Sequence, residues 1–75
     1  MKELALYLAK HLVDSPAKVE VNAEEDGDLT RLTMRVADED KGKIIGKQGK
    51  VIKAIRAVVG VSAAKSDRRV ILDLE

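Results

Sequence analysis

The chain has 75 residues, 45% apolar and 36% charged, with a formal net charge of +1 and no cysteine. That length supports one small domain over 1–75 with a single modest core. The absent cysteines exclude disulfides and thiolate metal sites, and no segment approaches the ~20 apolar residues that cross a bilayer. The opening MKELALYLAKHL is broken by Lys2, Glu3, Lys10 and His11, unlike the apolar block of a signal peptide, so a cytoplasmic location is expected.

Residues 2–13 carry Leu4, Leu8 and Leu12 at every fourth position with Ala5 and Ala9 beside them. This predicts a helix stopped by Ser15-Pro16. From Lys18 to Glu24 the chain alternates, with Val19, Val21 and Ala23 on one side and Lys18, Glu20, Asn22 and Glu24 on the other. Such alternation marks a strand with one buried face. The acidic run Glu24 to Asp28 turns the chain at Asp26-Gly27. Thr30 to Ala37 alternates again, Leu32, Met34 and Val36 inward and Arg31, Thr33 and Arg35 outward, so the two segments form an antiparallel hairpin. Asp38-Glu39-Asp40 supplies an N-cap and favourable negative charge for a short helix ending near Ile45. Gly46 and Gly49 interrupt it. A longer helix follows from about Lys50 to about Lys65, Ser66-Asp67 turns, and Arg69 to Leu74 is a last strand with Val70, Leu72 and Leu74 inward.

The order is α-β-β-α-α-β, an α+β arrangement without repeats. The two helices between the second and third strands make a crossover long enough to join parallel neighbours. Such crossovers are right-handed and place their helices on one face. Each strand has one apolar face, so a three-stranded mixed sheet is expected, the second strand central and three helices on one side.

Charge is unevenly placed. Lys41, Lys43, Lys47, Lys50, Lys53, Arg56 and Lys65 lie between Lys41 and Ser66 with no acid among them, while the rest of the chain holds seven basic residues against all 13 acids. A gathered positive segment suits a polyanion; a solvated helix face bearing lysines is the alternative. Within the segment, Gly46-Lys47-Gln48-Gly49 joins helix to helix. Glycines open backbone conformations closed to other residues and let a ligand approach without Cβ atoms in the way. The loop leads into the N-terminus of the long helix, whose unpaired N–H groups suit phosphate, and Lys43, Lys47 and Lys50 add cationic contacts. A nucleotide P-loop is excluded: three residues, not four, separate Gly42 from Gly46, and Gln48 follows the lysine where Ser or Thr is needed.

The string Ile44-Ile45-Gly46-Lys47-Gln48-Gly49-Lys50-Val51-Ile52 resembles the KH signature, an aliphatic pair, GxxG, two free positions and an isoleucine. The element order looks like the type II KH fold, and the chain over essentially its whole length is similar to the small bacterial KhpA family. The resemblance implies a single-stranded RNA-binding protein whose loop holds the nucleic-acid backbone. Gly46 and Gly49 would shape the loop, Lys47 and Gln48 face the backbone, Ile45 line the groove where bases lie, and Ile52 anchor the long helix in the core. Lys43, Lys50 and Lys53 complete the expected contact set. The resemblance also implies a role as an RNA chaperone, a link to cell division, cell shape and envelope regulation, and a homodimer or a heterodimer with a larger KH-containing protein. With no Phe or Trp and only Tyr7, the chain lacks a stacking platform, which is worth about 1–3 kcal/mol per base; binding of micromolar class and little sequence selectivity is expected.

The long helix carries a second apolar line beside its inward stripe of Ile52, Ile55 and Val59. Ala54, Ala57, Val58 and Val61 are therefore candidate dimer-interface residues. A KH-fold protein-interaction module with incidental RNA binding is the competing reading. No nucleophile-base pair or metal-ligand set is present, His11 reads as a surface residue, and neither enzyme activity, a cofactor, a metal nor a small-molecule substrate is expected.

Overall fold

The computed structural model describes residues 1–75. Helix α1 (Lys2–Leu12) is followed by a 3₁₀ turn at Pro16–Lys18, then strands β1 (Glu20–Asp26) and β2 (Leu29–Arg35). A second 3₁₀ turn at Asp38–Asp40 runs into α2 (Lys41–Ile45), a third spans Lys47–Gly49, and α3 (Lys50–Ala64) leads to β3 (Arg69–Leu74). The sheet order is β1-β2-β3, with β1 antiparallel and β3 parallel to the central strand. Register sets Ala23 opposite Leu32 and Leu32 beside Leu72.

Alternation decides which side is dry. Val21, Leu32, Met34 and Leu72 point to a core that also takes Ala5 and Ala9 from α1, Ile44 from α2, and Ile52, Ile55 and Val59 from α3. All three helices thus cover one face, as expected. Each fully buried Leu, Ile or Val contributes about 1.5–3 kcal/mol relative to exposure, so this layer between sheet and helices carries most of the apolar stabilisation. The other face is wet: Arg35 lies there between Glu20 and Glu75, with N···O distances of 3.9 and 3.0 Å.

Four local expectations are corrected. The leucines of α1 are not its buried centre; Ala5 and Ala9 are fully buried and Leu12 is 41% exposed. Small residues let the helix lie close to the sheet, and the leucines flank that contact. The first strand begins at Glu20, not Lys18, because Pro16 fixes φ and starts a 3₁₀ turn that absorbs Lys18. Ala23 keeps its inward parity but is exposed: β1 is an edge strand, and its small side chain is left uncovered. The acids at 38–40 make no side-chain N-cap. Asp40 is instead buried, and its two carboxylate oxygens accept the main-chain N–H groups of Asp14 (3.3 Å) and Ser15 (3.1 Å). It fastens the loop after α1 to the start of α2. A five-residue helix is unstable alone; fully buried Ile44 and this fastening hold α2 in place.

Candidate nucleic-acid interface

The loop between α2 and α3 is built from unusual backbone. Gly46 adopts φ 76°, ψ 175° and Gly49 φ 75°, ψ 14°. Between them Gln48 sits in the left-handed region at φ 57°, ψ 27°, a conformation that costs a non-glycine residue about 1–2 kcal/mol. The two glycines are required for different reasons. A Cβ on Gly46 would stand 2.3 Å from Val51 Cγ2 and 2.8 Å from the Val51 main-chain nitrogen, so the first turn of α3 presses on it. A Cβ on Gly49 would meet nothing within 4 Å; there only the backbone angle demands glycine. Gly46 N–H donates to the Gly42 carbonyl at 2.8 Å and Gly49 N–H to the Gly46 carbonyl at 3.2 Å, and no side chain caps the N-terminus of α3.

Side-chain pairing separates the lysines. Lys41 is 3.3 Å from Asp38, and Lys43 is hydrogen-bonded and ion-paired to Asp14. The Asp14 hydrogen bond, working against partial burial and helped by the charges of Asp14 and Asp40, holds the Lys43 ammonium above the ordinary lysine range. Lys47, Lys50 and Lys53 make no ion pair and are exposed. Of the expected contact set, the fold therefore groups Lys47, Gln48, Lys50 and Lys53 around and just beyond the glycine pair, while Lys43 faces a carboxylate. Ile45 is 42% exposed but lines none of the three surface depressions, and Ile52 is buried in the core at 7% exposure.

The two flanks of α3 differ in chemistry. Toward β3, the Arg56 Nε–H donates to the Leu72 carbonyl at 3.0 Å, at the rim of a depression of ≈ 270 Å³ lined by Val59 and residues 70–73. β3 pairs only with β2, so this carbonyl belongs to a free sheet edge. Toward α1, an apolar groove of ≈ 320 Å³ is lined by Leu8, Leu12, Lys50, Val51, Ala54, Ile55 and Val58. Val58 and Val61 are 46% and 60% exposed, so the second apolar line of α3 does stay outside the core, and Ala54 and Ala57 are exposed with it. His11 lies on the surface, its Nδ1 2.8 Å from the Tyr7 carbonyl.

Residues missed by sequence reasoning are Asp14, Asp40 and Arg56. Their partners lie 29, 25–26 and 16 positions away, beyond any local pattern. No group of His, Asp or Glu side chains is placed to hold a metal ion, and no helix is long and apolar enough to cross a membrane.

A three-stranded mixed sheet with three helices on one side and a glycine-paired loop between the second and third helices defines a KH domain of type II. Residues 2–74 match the family described as KhpA/KhpB, KH domain, and the chain belongs to that family. It is 45% identical over 74 residues to the RNA-binding protein KhpA of Clostridium perfringens, covering 99% of both chains. Identity to the RNA-binding protein KhpA of Halalkalibacterium halodurans is also 45%, over 99% of this chain and 97% of the relative. With the protein of that name from Borreliella burgdorferi it is 43%, over 96% and 88%. The family description is that of a KH domain and the relatives are named as RNA-binding proteins, not as enzymes. Among solved structures, a variant of Aquifex aeolicus Era bound to GDP and aluminium fluoride superposes with a TM-score of 0.71 at 25% identity. Era in complex with MgGDPNP and a segment of 16S ribosomal RNA gives 0.64, also at 25% identity. In both, 97% of this chain is covered but only 28% of the Era chain, so the likeness concerns one part of a longer protein.

Proposed function

We propose that this chain binds single-stranded RNA in the cytoplasm by seating the sugar-phosphate backbone on the Gly46–Gly49 loop. One observation carries the reading: bare main chain at positive φ lies beside three lysines, Lys47, Lys50 and Lys53, that no acid neutralises. The left-handed Gly49 leads straight into helical Lys50, so the N-terminus of α3, which no side chain caps, opens directly beside the loop. The helix N-terminus behind it adds partial positive charge. Bases would turn toward the depression beside β3, past Lys53 and Arg56. With no aromatic platform there, contact is weak and tolerant of sequence, which suits an RNA chaperone; a role in cell division and envelope growth is carried from the family resemblance alone.

The test is anisotropy of a fluorescent single-stranded RNA with the wild type and with Lys47→Asp/Gln48→Asp, whose side chains are exposed and whose fold is checked by circular dichroism. The variant is expected to lose binding. A folded variant that binds as the wild type does would end the reading.

A second reading concerns the other flank of α3. The exposed line Ala54, Ala57, Val58 and Val61 beside the apolar groove against α1 favours association with a second copy or with another KH protein. Two linked loops would then add avidity to weak single-site binding. Val61→Asp is expected to shift the protein to monomer in sedimentation velocity, and an unchanged mass rejects it.

A further inference from the structure

The Asp14, Asp40 and Lys43 cluster is left without a role by the reading above. Asp40 is 1% exposed, and a carboxylate that deep is costly unless its oxygens are satisfied. Here they are, by the main-chain N–H groups of Asp14 and Ser15. This anchoring fixes the backbone of Asp14 and aims its short side chain at Lys43, 29 positions away in sequence. Ordinary surface ion pairs are weak because two mobile side chains must be ordered at once. In this one the acidic partner is already placed, so the pair forms at low entropic cost. Lys43 lies one helical turn before Gly46, within a Debye length of any phosphate seated on the loop. Its ammonium is occupied by an internal anion that competes for the same charge.

We infer that Asp14 is an affinity-setting residue: it withholds Lys43 from RNA phosphate, and Asp40 is the positioning residue that keeps it there. The inference rests on the loop reading for where the phosphates sit. It predicts more than removal of an acid outside the site would give, since removing Asp14 opens a specific contact through Lys43 instead of merely lowering background repulsion. Asp14 is exposed, so Asp14→Asn leaves the core untouched.

Titrations with a short single-stranded RNA at several salt concentrations compare wild type, Asp14→Asn and Asp14→Asn/Lys43→Gln. Asp14→Asn is expected to bind roughly two- to fivefold tighter, the scale of one exposed charge contact. Its plot of log affinity against log salt should steepen by about 0.7, the increment of one single-strand phosphate contact. The double variant should lose both gains. Affinity unchanged in Asp14→Asn overturns the inference, as does a gain that survives in the double variant, which would be a general effect of removing an acid. The Lys47→Asp/Gln48→Asp variant keeps the two readings apart. If it loses RNA while Asp14→Asn gains nothing, the loop stands and the masking of Lys43 falls. If it binds normally, the loop reading falls, and with it the placement of Lys43 beside bound phosphate on which the inference rests.

Discussion

The chain bends on a positive-φ glycine at two places with opposite surroundings. Gly27, φ 63°, turns the β1–β2 hairpin among Glu24, Glu25, Asp26 and Asp28, and a Cβ there would meet nothing within 4 Å. Gly46, φ 76°, turns α2 into α3 among lysines and is pressed against Val51. One hairpin acid is already used internally, since Glu25 is 2.7 Å from Arg68, whose guanidinium also donates to Thr30 Oγ1 at 2.9 Å. The lesson is that glycine geometry alone makes a turn. Unneutralised cations and a helix packed directly behind the turn are what make it a candidate site.

The sharpest break of this comparison is to give the loop the hairpin's charge. Lys47→Asp/Gln48→Asp is expected to weaken RNA binding about ten- to a hundredfold, because a cation is removed and two anions face the phosphates. The converse exchange, Glu24→Lys/Asp26→Lys, should raise affinity by no more than about twofold through long-range attraction. If lysines on the hairpin bound RNA as well as the loop does, charge alone would explain both regions.

Stability gives the next contrast. Gly46→Ala adds a backbone penalty of about 1–3 kcal/mol, since φ 76°, ψ 175° is an essentially glycine-only conformation, to an overpacking cost of about 1–3 kcal/mol against Val51. For a chain this size the total stability is about 4–11 kcal/mol, so a large part should disappear in urea denaturation. Gly27→Ala carries only the backbone penalty, about 1–2 kcal/mol. Gly49→Ala, open around its Cβ, should resemble Gly27→Ala in stability while disturbing RNA binding. Equal losses at Gly46 and Gly27 would show that Val51 yields easily.

The smallest effect is a pH dependence. The Lys43 pKa is raised above the ordinary 10.5 in the folded chain. Its ion pair therefore stabilises fully below the unfolded lysine pKa, and the contribution is lost as pH rises through the raised value. Denaturation midpoints of wild type and Asp14→Asn should keep a constant offset near neutrality and converge only in strongly alkaline solution.

Much of the fold was legible because alternation and periodicity are local. Val70, Leu72 and Leu74 mark β3 at its observed bounds, and a crossover of two helices is enough to put β2 in the middle of the sheet. The glycine pair and the gathered lysines were equally visible. What could not be read was pairing over distance. Asp40 looks like any acid at a helix start, yet it bonds the main chain of the α1–β1 loop. Lys43 looks like its neighbours Lys47 and Lys50 until Asp14 is folded against it. Ala23 shows a gentler failure: parity assigns a side but not whether a helix extends over it.

The central strand takes its parallel neighbour from far downstream, Leu29 beside Arg69. Leu29 and Arg69 must therefore meet across the whole α2–α3 crossover before the sheet is complete, and non-local closure of this kind is slow. Until β3 inserts, the bend is held by no finished sheet. A refolding chain in which β3 has not yet docked would expose positive charge without the geometry to direct it.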